Sequence, residues 1–278
     1  HFQSTNIQFH EYPSQGNLRS PNTAIFSMET ITFNKFVSFA EEATNLLDIF
    51  PEFKNSNEVN QNLKEDRTPV TDLDLNIEIF IRKLIKERFP THSIHGEEFS
   101  DTNGLSPYNW IIDPIDGTFS YVKNVPLFGI LLGLRYEDTP LFGSVRFPLY
   151  FNKLVVGDGK MSLDDGTSLV RSFSTSFNES LVLTSDERSI SNSIYKDKWD
   201  ELCNLTRYHR TWGDCFGYFL VCTGKAQVMF DINLKPCDIL PLIPIILGSG
   251  CKIIELRSPY KDIIVCTPEI YDEVIKVF

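Results

Sequence analysis

The sequence has no block of lysine or arginine, no C-x-x-C pair, no Cys/His cluster spaced for zinc and no long uninterrupted apolar run. Each absence removes a class of function. With 37 Asp and Glu against 26 Lys and Arg, a formal charge of −11, and no clustered cations, the footprint that a nucleic-acid backbone demands is missing. The six cysteines (Cys203, Cys215, Cys222, Cys237, Cys251 and Cys266) lie in the last third, most of them in apolar segments. They read as reduced core thiols of a cytoplasmic protein. The longest apolar run, residues 239–247, contains Pro241 and Pro244 and is too short to cross a bilayer, so no membrane segment is expected. Residues 1–27, rich in Ser, Asn, Gln and Pro, show neither a basic-then-apolar order nor an Arg-rich amphipathic pattern. They read as a flexible extension or appended sequence, with Met28 as a candidate native start.

What is present is 278 residues, 42% hydrophobic and 23% charged, enough for one large domain or two of ordinary size. Apolar residues at helical spacing predict a helix over 36–50, closed by Pro51, and a second one capped by Thr71 with Leu73, Ile77, Phe80, Ile81, Leu84 and Ile85 as its buried stripe. Strands are expected at 108–112, 128–136, 141–147 and 153–156, giving an α+β half over 28–175. Beyond a Ser-rich boundary near 170–180, the order is strand 180–184, helix 191–205, helix 214–223, strand 226–230, helix 238–247, strands 252–256 and 262–266, and a last helix behind Thr267 and Pro268. That alternation predicts an α/β half over 176–278.

Carboxylates gather at the ends of these elements: Asp74 at a helix start, Glu97 in HGEE, Asp113 and Asp116 in WIIDPIDGT, and Asp238 in KPCD. An all-oxygen set suits a hard divalent cation, Mg²⁺ with Mn²⁺ as the alternative, whereas zinc would recruit His or Cys. In DPIDGT, Pro114 stiffens a turn on which Asp113 and Asp116 converge, with the Ile115 carbonyl between them. Two metals roughly 3.5 to 4 Å apart would then clamp the attacking and leaving oxygens at phosphorus. Gly117 and Thr118 open a helix or turn whose backbone N–H groups suit a phosphate, and the Thr118 hydroxyl can orient a water. Each piece has a plainer explanation when taken singly: a solvated D-x-x-D turn, a capping box of Thr71 with Asp74, an N-cap at Asp238, a polar loop at HGEE. Their conjunction is what argues for a site. CTGKAQ lacks a Gly of the P-loop, DLDLNI lacks the Gly and terminal Glu of an EF-hand, and His92 and His95 read as surface-loop histidines.

KEDRTPVTDLD, HGEE, WIIDPIDGT and CDILPLIPIILGSG, in that order, resemble the inositol monophosphatase superfamily of Mg²⁺-dependent, lithium-sensitive phosphomonoesterases over about residues 30–278. The resemblance implies a layered αβαβα sandwich and a homodimer. It implies two or three metal ions on Glu97, Asp113, the Ile115 carbonyl, Asp116 and Asp238, with Thr118 and Asp74 activating the attacking water, and phosphate on Gly117 and Thr118. TWGDCFGYFL and LKPCD are closer to the histidinol-phosphate phosphatase branch, an enzyme type of histidine biosynthesis, than to inositol enzymes. On that reading Asp214 and Asp231, with Asp116, meet the organic part of the substrate. Without it, Asp214 is equally an N-cap and Asp231 a turn residue; Arg210 either lines the pocket or pairs with a surface acid. Cys237 stands where the family has an aromatic, and Cys251 where its Gly-Gly end finishes. Inositol monophosphate or another small polyol or sugar phosphate is the alternative substrate. A non-catalytic metal-binding scaffold is the alternative of another class, against which the intact carboxylate set argues.

Overall fold

The structure is a computed structural model that describes residues 23–54, 61–63, 69–169, 171 and 175–278. Residues 1–22 of the expected extension, 64–68 of the KEDRT stretch, and 170 and 172–174 at the expected boundary lie outside the described residues. No helix among the described residues is long and apolar enough to cross a membrane.

Helix α1 (Thr23–Thr44) leads to the short antiparallel pair β1 (Gln61–Leu63) and β2 (Pro69–Thr71), then to α2 (Asp72–Arg88). Seven strands follow in one sheet, ordered as in the chain: β3 (Ser93–Gly96), β4 (Tyr108–Asp116), β5 (Gly129–Tyr136), β6 (Thr139–Phe147), β7 (Lys153–Gly157), β8 (Ser162–Asp164) and β9 (Thr167–Ser168). The short helix α3 (Thr118–Val122) sits between β4 and β5. The second half comprises β10 (Leu181–Leu183), α4 (Glu187–Ser191), α5 (Lys196–Leu205), β11 (Tyr208–Arg210), α6 (Asp214–Cys222), β12 (Val228–Asp231), α7 (Pro236–Ile239), α8 (Ile243–Gly248), β13 (Lys252–Arg257), β14 (Asp262–Cys266) and α9 (Tyr271–Val277). Its five strands pair in the order β11-β10-β12-β14-β13, with β10 parallel to both neighbours.

Strand alternation decides the layers, because successive side chains face opposite sides of a sheet. Trp110, Ile112, Ile130, Leu132 and Leu134 pack against Phe36, Phe39, Ile77 and Ile81 of α1 and α2. From the other face, Leu131, Val145, Phe147 and Val155 meet Phe216, Phe219, Ile245 and Ile246 of α6 and α8, which also cover Leu183, Met229, Ile263 and Val265 of the second sheet. That sheet's outer face, Val182, Val228, Phe230 and Ile264, is closed by Trp199, Leu202 and Val274 of α5 and α9. The layers therefore run αβαβα, as expected.

Several elements depart from the sequence reading. Helix α1 begins at Thr23 and ends at Thr44 instead of reaching 50. Beyond it the chain turns over residues 47–49, and Leu46 and Phe53 on either side of the turn are still buried in the core. The helix expected over 191–205 begins only at Lys196, as α5, with the separate helix α4 ending at Ser191, and that over 238–247 is two, α7 and α8. Pro241 and Pro244 lack the N–H groups a continuous helix needs. The interrupted segment lies flat on the large sheet because Gly133, Gly143 and Gly157 stand opposite one another on β5, β6 and β7. A Cβ at Gly143 would overlap the Pro241 carbonyl. Gly143→Ala should therefore lower stability by about 1–3 kcal/mol, the usual cost of overpacking, read as a lower thermal midpoint; an unchanged midpoint would show that the segment is free to lift.

Candidate active site

Asp113 and Asp116 are three residues apart, a spacing that puts side chains on opposite faces of a regular strand. The expected tight turn is absent; β4 instead runs through Pro114 to Asp116. Asp113 pairs with Leu131 and Asp116 with Gly129, so three steps on β4 match two on β5. The extra residue is a β-bulge, which re-aims side chains and accommodates a proline in a strand. It brings both carboxylates to one side. Asp238, at the third position of α7, reaches the same place from the second half, and one oxygen of each of the three lies within 4.8 Å of the others. α7 packs against β4, and the Lys235 N–H donates to Asp238 Oδ2 at 2.8 Å. Asp238 is thus held inside the first turn and is not the N-cap.

Glu97 follows β3, with its N–H donating to the Ile112 carbonyl at 3.2 Å. It lies outside the trio but lines the same cavity of about 360 Å³, along with Asp113, Ile115, Asp116, Gly117, Thr118 and Lys235. The Lys235 ammonium is 3.4 Å from Glu97 Oε1. Asp74 is buried at the start of α2, where it forms the expected capping box with Thr71 and accepts the Thr71 N–H at 2.8 Å. The same carboxylate accepts from the Thr118 hydroxyl at 3.3 Å, and that hydroxyl lies 2.9 Å from the Ile115 carbonyl. Capping and site membership coexist at Asp74. Gly117 turns the chain at φ +89°, a left-handed conformation that favours glycine. Thr118 then opens α3, whose first N–H groups have no acceptor within the helix.

A second cavity, about 200 Å³, adjoins the trio through Asp116 and Asp238 and is lined also by Ser185, Asp186, Ser189, Asp214, Tyr218, Asp231 and Asn233. Among the described residues, no Lys, Arg or His lines it. Asp231 ends β12 instead of sitting in a turn, and its buried carboxylate accepts from the Ser185 N–H at 2.8 Å, the Ser185 hydroxyl at 3.0 Å and the Tyr218 hydroxyl at 3.0 Å. Asp214 begins α6 behind Gly213, which holds the N-cap, and adopts φ +52°. Its N–H donates to the Ser185 hydroxyl at 2.8 Å, while the next N–H, that of Cys215, donates to Asp116 Oδ2 at 2.5 Å. Ser185 therefore ties Asp231 to the start of α6, a role sequence reading missed; a small polar residue after a short strand carries no distinguishing signal.

Arg210 is a correction. It is exposed on the edge strand β11, donates to the His209 carbonyl at 2.6 Å and lines neither cavity. His92 lies in the loop between α2 and β3, as expected, but is half-buried. Its ring stacks against Phe89 and Tyr108, and its Nδ1 accepts the Trp110 indole N–H at 3.1 Å. His95 lies in β3 and pairs with Asp101. All six cysteines are free, and every one but Cys203 is buried.

Burial and mutual repulsion set the electrostatics. Asp113 is pushed well above the usual carboxylate range by burial and then by Glu97, Asp116 and Asp238. Asp116 is raised by burial, Asp214 and Asp238. Burial lifts Asp238 to about 6, and Asp214 to about 7 with help from Asp231 and Asp238. A buried oxygen cluster that holds protons so strongly is one that a cation would relieve, so the donor set fits Mg²⁺. The pH consequence has a definite sign. Folded carboxylates with raised pKa values bind protons that the unfolded chain releases, so their contribution to stability is present at acid pH and lost as pH rises through about 6 and 7. Mg²⁺ should therefore raise the thermal midpoint more at pH 8 than at pH 5.5; equal shifts would mean that these groups do not hold the ion.

Fold and site together define a metal-dependent hydrolase of phosphate monoesters. The profile of the inositol monophosphatase family matches residues 34–273, and the chain belongs to that family of metal-dependent phosphomonoesterases. The histidinol-phosphatase of Chlorobaculum parvum is 33% identical over 195 residues, covering 70% of this chain and 75% of that protein. Inositol monophosphatase 1 of Xenopus laevis is 29% identical over 210 residues, covering 71% and 73%. Among solved structures, the extragenic suppressor protein suhB from Bartonella henselae matches with a TM-score of 0.79 at 16% identity, over 87% of this chain and 98% of that one. An IMPase/NADP phosphatase complexed with Mg²⁺ and phosphate matches with a TM-score of 0.74 at 20% identity, over 90% and 95%.

Proposed function

We propose that the chain hydrolyses L-histidinol phosphate, with two or three Mg²⁺ ions held by Glu97, Asp113, the Ile115 carbonyl, Asp116 and Asp238. The observation that carries the substrate is the second cavity, where Asp186, Asp214 and Asp231 join Asp116 and Asp238 and, among the described residues, no basic side chain lines the wall. Such a pocket suits a cationic organic group and would reject a second anion. The similarity to a histidinol-phosphatase points the same way.

When bound, Mg²⁺ supplies positive charge to the phosphoryl oxygens and lowers the pKa of a water. The protein's own part is positional. The Gly117 and Thr118 N–H groups seat the phosphate at the start of α3. Thr118 Oγ1, poised between the Ile115 carbonyl and Asp74 Oδ1, takes the proton of the attacking water as its own passes to Asp74. Burial raises the Asp74 pKa, which makes it a better base than an ordinary aspartate. Asp214 and Asp231 hold the ammonium group.

A panel of phosphate esters assayed with Mg²⁺ tests this reading. Histidinol phosphate should give the highest kcat/KM. Faster turnover of inositol 1-phosphate or a sugar phosphate would transfer the assignment to polyols, and no release of phosphate from any ester would leave a metal-binding scaffold.

A further inference from the structure

Glu97 stands on a loop whose shape is dictated by a side chain outside the metal site. Glu78, on α2, is completely buried, and its carboxylate accepts the N–H groups of the two residues that follow Glu97: Glu98 at 2.8 Å and Phe99 at 3.2 Å. Arg82, one turn further along α2, donates Nε to Glu78 Oε1 at 2.7 Å, Nη2 to the Phe99 carbonyl at 2.9 Å and Nη1 to the Thr102 hydroxyl at 3.2 Å. From the other side, Gly96 packs so closely that a Cβ there would overlap the Glu78 carboxylate. A buried ion pair is weak evidence for stability, since desolvation offsets much of its attraction. Here both carboxylate oxygens of Glu78 and Nη2 of Arg82 are spent on the backbone of Glu98 and Phe99, directly after Glu97.

We propose that Glu78 and Arg82 are positioning residues for the metal: they fix the backbone after Glu97 so that its carboxylate is presented toward Asp113. This rests on the reading that Glu97 binds metal. Neither residue touches substrate, and neither lines the cavity that holds the carboxylates. In Glu78→Gln the amide nitrogen would face an N–H that needs an acceptor, and the loop would leave α2. Arg82→Lys keeps a cation for Glu78 but cannot reach the Phe99 carbonyl and Thr102 together.

Outer partners of metal ligands typically contribute about 10–100-fold in metal affinity. Calorimetric titration with Mn²⁺ should therefore show a dissociation constant raised about 10–100-fold in Glu78→Gln and, to a lesser degree, in Arg82→Lys. The Mg²⁺ concentration for half-maximal activity should rise in parallel, while kcat at saturating Mg²⁺ returns close to that of the parent. Glu97→Gln is titrated alongside. Weakened binding in Glu97→Gln with unchanged binding in both other variants overturns the positioning role alone; unchanged binding in Glu97→Gln overturns the metal assignment beneath it. A lowered thermal midpoint without a change in metal affinity makes the pair purely structural and overturns the proposal. If Glu78→Gln does not fold, Arg82→Lys decides.

Discussion

Asp113→Asn is expected to lower kcat by at least about 10²–10³-fold, the scale on which losing one group that faces the transition state is felt, and at the same time to leave the metal-free protein no less stable. Both halves follow from the same geometry. Asp113 is buried against Glu97, Asp116 and Asp238, so without a cation its charge is repelled and desolvated; the neutral amide removes that penalty. The amide oxygen remains a poor substitute for a carboxylate toward Mg²⁺. In a thermal melt at pH 8 without metal, Asp113→Asn should melt at or above the parent temperature and lose most of the Mg²⁺-dependent rise. Full activity would refute the metal assignment; a collapse of the metal-free fold would mean that Asp113 supports the structure through its bond from the Ile115 N–H, 3.1 Å.

Asp214→Asn is expected to reduce kcat/KM for histidinol phosphate about 10–100-fold, corresponding to the loss of a hydrogen bond to a charged group worth about 1.5–3 kcal/mol. Turnover of an uncharged polyol phosphate should change far less, because only an ammonium group gains from the charge. Asp214 is the cleaner choice for this test. Asp231 also holds Ser185 and Tyr218, so its replacement would disturb the wall of the pocket as well as its charge. An equal loss for both substrates would place Asp214 in the support of Asp116, through the adjoining Cys215 N–H, and not in substrate choice.

The parts of the site set by local chemistry were legible in the sequence. Thr71 and Asp74 announce a capping box, the apolar spacing of α2 announces its buried face, and WIIDP announces a strand delivering Asp113. What escaped depends on partners distant in the chain. That Asp113 and Asp116 share a side follows from the register against β5, where one residue bulges; nothing local to DPIDGT distinguishes a bulged strand from a turn. Ser185 gains its role because β10 and β12 run parallel, with Leu183 opposite Met229, so residues 184 and 231 meet beside the start of α6. Arg210 lies only four positions from Asp214, yet β11 is an edge strand and its last residue is exposed and lines neither cavity. Glu78 and Arg82 carry no local signal of a role. Their spacing of four places both on the buried side, and only the fold shows which loop they hold.

On the proposed reading, the trio holds the phosphate end and the acidic cavity the cationic end of one substrate. A crystal structure with histidinol phosphate and Ca²⁺ in place of Mg²⁺ tests it most directly. Phosphate is expected over the Gly117 and Thr118 N–H groups, with the ammonium nitrogen about 3 Å from the carboxylates of Asp214 or Asp231. An ammonium group turned to solvent, with the cavity empty of substrate, would contradict it.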